Sequence, residues 1–384
     1  MRLLQAALGK LRALGAIAAR MRGLMGLAAA GAATVAPAAV LPEDKAEAMF
    51  HIYDGGGVKA DGPAFLVRKK LGERVSLSGG YYVDAVSNAS IDVVTYASPF
   101  KERRNVWDFG ADWLVGSSIL SLSGSRSTES DYESSAANVD VSAEVFGGMT
   151  TLSLGFTRGS DRVGRTDRPE IFFDDVRRWQ YRSGVTQILT ARWLVSLNGE
   201  VISEEGYLGS PYRAARVFGA FVPERLPRTR TGRAVKLRSL AEVRPGTSLR
   251  VEARAYWDTW DVRATTWELA GSHKFGGEFL GGNWLLDVSL RGHKQSRALF
   301  YSDNAQVDNL FVTRNRQLSA FDTSALGAKL TWTPAAAWAQ RWGVQVTGVV
   351  ERKRFRFPEF TDLRVQLPYA YDANVVQLLV TSRF

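Results

Sequence analysis

Apolar and polar residues alternate along this chain with a period of two. In the final stretch Val376, Leu378, Val380 and Phe384 fall on one face, and Val375, Gln377, Thr381 and Arg383 on the other. Trp107, Phe109, Ala111, Trp113 and Val115 oppose Asp108, Gly110 and Asp112. Val139, Val141 and Val145 oppose Asp140, Ser142 and Glu144, and Leu249, Val251, Ala253 and Trp257 oppose Arg250, Glu252, Arg254 and Asp258. Period two predicts strands with one apolar and one wet face. About ten residues is the length that crosses a bilayer as a tilted barrel strand.

A β-sandwich alternates as well. Two features favour a barrel. Trp107, Trp193, Trp257, Trp284, Trp332 and Trp342 lie near predicted strand ends on the apolar face, the placement of an interfacial aromatic girdle. Connections also alternate in length, as in membrane barrels. Short turns fall near Gly72, Gly116, Gly147, Leu189, Pro245 and 334–337; long polar loops fall at 84–104, 127–136, 160–175, 203–230, 294–318 and 352–373. The exceptions are a tight outer turn near 258–261 and a Gly-rich inner one at 276–282.

Parity sets the count. A barrel whose last strand ends in the periplasm has an even number of strands. Fifteen are legible from Ala64 onward, so the sixteenth must lie at Ala48 to Asp54. The expectation is an all-β, transmembrane, antiparallel up-and-down β-barrel of 16 strands, within a range of 14–18. Such a barrel has an aqueous lumen unless a loop plugs it.

Residues 1–22 are basic, and 23–41 are small and apolar, with Ala36-Pro37-Ala38 or Ala30-Gly31-Ala32 as cleavage sites. This layout predicts a signal peptide over 1–38, with an anchor helix as the alternative. A short periplasmic segment at 39–47 and a barrel over 48–384 would follow. Arg2, Lys10, Arg12, Arg20 and Arg22 belong to the leader, so half of the +10 net charge leaves with it. The high pI therefore does not indicate a nucleic-acid partner. With no cysteine, disulfides, thiolate metal sites and lipidation at an N-terminal Cys are excluded.

Little in the chain resembles catalytic machinery. His51, His273 and His293 have no ligand spacing, and Asp54-Gly-Gly-Gly57 lacks the Lys-Ser/Thr of a phosphate loop and predicts a turn. No enzyme, cofactor or metal site is expected. The wet strand faces carry more information: acids on early strands (Asp108, Asp112, Asp140, Glu144) and bases on later ones (Arg182, Arg192, Lys236, Arg238, Arg250, Arg254). Either they face one another across the lumen as a transverse field, or they pair and fill it. Asp131, Glu133, Glu204 and Glu205 read first as solvated loop charge, with Ca²⁺ or Mg²⁺ bridging lipopolysaccharide as the alternative.

Several phrases resemble the bacterial domain-of-unknown-function family 3570. They are Tyr53-Asp-Gly-Gly-Gly57 with Asp61-Gly-Pro63, Leu66 to Lys70, Ser90 to Thr95 with Ala97-Ser-Pro99, Thr150 to Gly155 with Arg158-Gly159, Val163-Gly-Arg165, Pro211-Tyr-Arg213, Pro227 to Thr231, and Phe300 to Asp303. Residues 214–225 look atypical within it. The resemblance implies an outer-membrane protein of Gram-negative bacteria and no established activity. The terminal Phe384 also resembles the assembly signal read by the barrel-assembly machinery. Expected partners are outer-membrane lipid and lipopolysaccharide. The function expected is a porin-like channel for small polar or ionic solutes; the alternatives are a plugged barrel serving an envelope complex and an outer-membrane enzyme.

Overall fold

A computed structural model describes residues 39–88, 100–165, 173–277 and 281–384. The expected signal peptide and the phrases at 90–99 lie outside them. The first strands are β1 (Lys45–Gly55), β2 (Val58–Leu71), β3 (Val75–Asn88), β4 (Phe100–Val115), β5 (Ser118–Thr128), β6 (Tyr132–Val145), β7 (Thr150–Gly164), β8 (Phe173–Thr190) and β9 (Trp193–Gly206). A small hairpin, β10 (Ala214–Val217) and β11 (Ala220–Pro223), follows. Then come β12 (Thr229–Arg244), β13 (Thr247–Asp258), β14 (Arg263–Gly277), β15 (Gly282–Gln295), β16 (Phe321–Pro334), a short helix α1 (Ala337–Arg341), β17 (Gln345–Asp362) and β18 (Leu367–Arg383).

All except β10 and β11 join one closed antiparallel barrel of sixteen strands. β1 closes it, paired with β18 from Lys45↔Arg383 to Gly55↔Ala373. The strand required by parity therefore exists. It starts at Lys45, so residues 45–47 belong to the wall and not to the preceding segment. Lys45 and Glu47 share one face and form an ion pair of 2.9 Å, which lets a polar stretch stay extended. The glycines at 56 and 57 turn the chain into β2 with φ of +60° and +78°, the left-handed conformation a tight hairpin demands.

The outer face is greasy. Trp107, Phe109, Leu154, Leu197 and Leu378 are all exposed there. Trp107, Trp193, Trp257 and Trp342 face outward near the band's edges, as expected of a girdle, and Trp113 and Trp267 join them. Trp284 and Trp332 stack on adjacent strands with centroids 5.9 Å apart. On β14 the outward run from Trp267 to Phe275, apolar except for His273, spans eight residue steps, about 27 Å of strand path. That matches the apolar band of a membrane barrel once tilt is allowed.

Two of the expected long loops are strands instead. Only residues 129–131 link β5 to β6, and only 363–366 link β17 to β18. Their polar residues continue the ladder above the apolar band; at β17 and β18 the outer face is charged while Phe355, Phe357, Tyr369 and Tyr371 pack together on the inner one. Arg352 and Arg354 on the outer face of β17 sit opposite Asp372 on β18, at 2.8 and 3.9 Å. Among the described residues, the long loops at this end are 207–228 and 296–320. The opposite end carries the short turns, one of which holds α1.

At that turn end the ammonium of Lys69 lies 4.8 Å from the centroid of the Phe384 ring, and the Phe384 N–H donates to the Asp44 carbonyl. Deleting Phe384 is expected to reduce membrane insertion while export to the periplasm continues. Quantifying the heat-resistant folded band in membrane and periplasmic fractions checks this; unchanged insertion would remove the assigned role.

Candidate functional site

Alternation aims one set of side chains into the lumen, and strand register decides which charges meet. Arg182 on β8 reaches Asp140 on β6 at 2.8 Å. Arg254 on β13 reaches Glu200 on β9 at 3.4 Å. Glu252 receives Lys236 at 2.5 Å, Arg238 at 3.3 Å and Arg250 at 3.5 Å, and Arg250 is shared with Glu268 at 2.5 Å. Asp112 bonds Arg68 and accepts a hydrogen bond from Ser121 at 2.5 Å. Of the two arrangements expected from the sequence, local pairing is the one observed.

Asp140, Arg182, Lys236 and Arg254 line one recess of about 320 Å³ in the barrel wall, together with Glu200 and Asn198. Arg238 and Arg250 adjoin it through Glu252. Asp108 and Glu144 have no ion-pair partner among the described residues. Arg192 departs from expectation: it lies in the turn between β8 and β9, at the rim, 3.8 Å from Glu242. The alternation ends one residue before Trp193, and a turn residue keeps no lumen position. Arg68 and Glu268 were not singled out by sequence because their partners lie 44 and 18 residues away.

The two long loops form a cap. The loop that carries the β10–β11 hairpin bridges to the other loop at Val217↔Ala305 and, just after the hairpin, at Arg225↔Val312. Ala215, Val217, Ala305 and Val312 make a buried cluster between them. Glu224 ties the loops by accepting from the Thr313 hydroxyl at 2.8 Å and from the Ser210 N–H at 2.9 Å. Thus the atypical stretch 214–225 is half of the cap.

Arginines anchor the cap to the wall. Arg314, with only 3% of its side chain exposed, pairs with Asp303 at 2.8 Å, donates to the Thr361 carbonyl and stacks 4.2 Å over Phe360. Arg316 lies over the rings of Tyr369 and Tyr371, at 5.6 and 5.4 Å. Tyr301 donates to the Glu359 carbonyl at 2.9 Å. At the far side the Tyr212 hydroxyl bonds Asp131, and Arg165, just after β7, donates to the Pro211 carbonyl at 3.2 Å. In the ring of sixteen, β17 holds the third place and β7 the eleventh, so these anchors stand on opposite walls. The cap therefore crosses the mouth. Its underside meets Arg254, Tyr256, His293 and Gln295 around a space of about 400 Å³.

The four loop acids do not converge. Glu133 lies 3.8 Å from Arg126, and Glu204 lies 3.1 Å from Arg178. Asp131 instead groups with Glu102 and Glu129, their oxygens within 4.8 Å of one another, a spacing suited to a hard cation. Burial above all pushes the Glu129 carboxyl up from its ordinary range; Arg104 opposes this, and Glu102 and Asp131 reinforce it. The histidines are hydrogen-bonded: His51 to Asp84 at 2.7 Å, His273 to Thr247 and His293 to Thr266, each at 2.8 Å.

Two outcomes follow from this geometry. Arg314→Ala breaks a buried pair and leaves the Thr361 carbonyl without its donor, which is expected to cost about 3 kcal/mol of cap stability. Limited proteolysis should then cut within 207–228 and 296–320 faster while the barrel stays folded. For Glu129, a raised folded-state pKa means the folded mouth binds more protons than the unfolded chain. The destabilisation is full at pH above the raised value. It is relieved as pH falls through it, and is gone below the unfolded carboxylate pKa. Glu129→Gln should slow amide exchange at 128–133 at neutral pH and have no effect in acid.

Solved structures share the fold. One described as "Bacterial polysaccharide outer membrane secretin" aligns with a TM-score of 0.53 at 9% identity, over 90% of this chain and 100% of the other. The structure titled CdiB from Escherichia coli aligns with a TM-score of 0.51 at 12% identity, over 89% of this chain and 64% of that one. No curated protein matches the sequence. The phrases at 211–213, 227–231 and 300–303 fall within residues 165–346, which match the model of the family described as "Protein of unknown function (DUF3570)", and the family resemblance is thereby borne out.

Proposed function

We propose that this chain is an outer-membrane channel for small polar or ionic solutes, with its extracellular entrance narrowed by the cap. The carrying observation is a charged lumen wall lying beneath a cap that spans the mouth. A wide aqueous pore needs no cap, and a core filled throughout would carry apolar residues along the whole inner face, whereas the inner aromatics Phe321, Phe355, Phe357, Tyr369 and Tyr371 cluster at the cap's anchor on β17. Here the inner face carries Asp140, Arg182, Glu200, Lys236 and Arg254 around a recess open to water-sized species. At the turn end a second wet space of about 700 Å³ opens among Glu47, Lys329, Thr331, Thr347 and Arg383. Solutes entering from the periplasmic side meet polar walls first and the cap last.

The interior charge sets selectivity in this reading. Three bases surround Glu252, and Glu268 takes a share of only one of them. A local positive excess favours anions passing that wall. The second reading, a plugged barrel that anchors a partner, is favoured by the cap's attachment to both walls.

Planar bilayer recording separates the two. The channel reading expects small conductance steps in the wild-type protein and severalfold larger ones in Arg314→Ala. Lys236→Gln with Arg250→Gln should shift the reversal potential toward cations. Silence from both the wild type and Arg314→Ala would sink the channel and favour the plugged barrel.

A further inference from the structure

The outer wall carries a feature that a channel does not require. Going up β14, outward residues run Phe275, His273, Gly271, Leu269, Trp267, Thr265 and Arg263; going up β15 they run Trp284, Leu286, Val288, Leu290, Gly292 and Lys294. Both strands change from apolar to cationic at the same height. Lys294 stands opposite Thr265, and the Ser296 N–H donates to the Arg263 carbonyl, so Arg263 and Lys294 are diagonal neighbours on one face. Diagonal side chains on paired strands are within reach of a common ligand.

Beside the two cations lies a groove of about 730 Å³, lined by Ala255, Trp257, Thr265, Ala320, Arg263 and Lys294. Below it Gly292 lets the Trp267 ring lie flat on β15; a Cβ at 292 would stand 2.4 Å from the ring. The exposed Trp267, Leu269 and Leu290 continue the apolar surface downward. The cations are available. Among the described residues Lys294 has no ion-pair partner. Arg263 faces only Asp261, at 3.3 Å, with side chains 78% and 62% exposed, so that pair is weakly held. Asp322 and Arg356 are the remaining charges nearby, opposite Lys294 and each other in register.

We propose that this groove binds a phosphorylated glycolipid of the outer leaflet, its phosphate between Arg263 and Lys294 and an acyl chain along the apolar wall. Two cations directly above a hydrocarbon-lined groove, at the height where the apolar band ends, complement a phosphate joined to acyl chains. A soluble anion would use the cations and leave the groove empty. The proposal rests on the outer-membrane reading above, but its test does not.

The barrel is refolded in detergent, its fold confirmed by resistance to heat denaturation, and lipid retention is read by native mass spectrometry. The probes are bisphosphorylated lipid A and the same lipid with its phosphates removed. The wild type should prefer the phosphorylated lipid by roughly tenfold, and Arg263→Gln with Lys294→Gln should abolish that preference. Arg352→Gln with Arg354→Gln, on the outer face of β17, should leave it intact. Equal retention of both lipids by the wild type, an unchanged preference in the Arg263/Lys294 variant, or loss only in the β17 variant would each overturn the assignment. Failure of the outer-membrane reading would show separately, as absence of the native chain from the outer-membrane fraction.

Discussion

In hydrocarbon, a backbone N–H or C=O without a partner costs several kcal/mol, and a sheet avoids this only by having no edge. The pairing of β1 with β18 is the step that removes the last edge here. The other features depend on it. It makes the strand number even, leaves both ends of the barrel segment at the turn end, and forces every strand to divide its side chains between lipid and lumen. Once the ring is shut, the outer face is chosen by lipid and the inner face by water.

The lumen that closure creates is dense in charge, and its charges compensate one another. Each pair is read across a ladder: Arg182 to Asp140 spans from β8 to β6, and Arg254 to Glu200 from β13 to β9. Partly exposed pairs of this kind contribute little to stability, because water screens them and ordering long side chains costs entropy. Their effect is on the character of the passage. Alternating donors and acceptors offer a solute hydrogen bonds along the wall, and a small local excess of one sign tilts passage without closing it.

Much of this architecture was legible in the sequence because it follows from a two-residue period. The alternation named the lipid face, the tryptophans marked its edges, and parity located β1 in a short segment with apolar residues on both faces, where alternation is weak. What was not legible depends on position in space. The tips of β5 and β6 read as loops because above the apolar band neither face is greasy, and those of β17 and β18 because their polarity reverses there, with arginines outward and Phe355, Phe357, Tyr369 and Tyr371 inward, while the ladder continues. Arg192 read as a lumen residue because one more polar position looks the same in a strand or in its turn. The partners of the lumen charges are set by register, which composition does not carry. The cap was least accessible. Its halves lie far apart in the chain and are joined by Glu224 to Thr313 and by Arg225 to Asp308, ordinary loop residues until folded.

The cap's reach from β17 to the edge of β7 has a mechanical meaning. A ring of sixteen strands, one layer thick, resists stretching along its hydrogen bonds but flattens easily into an ellipse. A tie fixed to two opposite walls holds that diameter, and, because the circumference is fixed, the perpendicular one with it. Lateral pressure from the surrounding bilayer would then deform this barrel only obliquely to the cap. The width of the passage under the cap would stay nearly constant while the walls on either side shear past it.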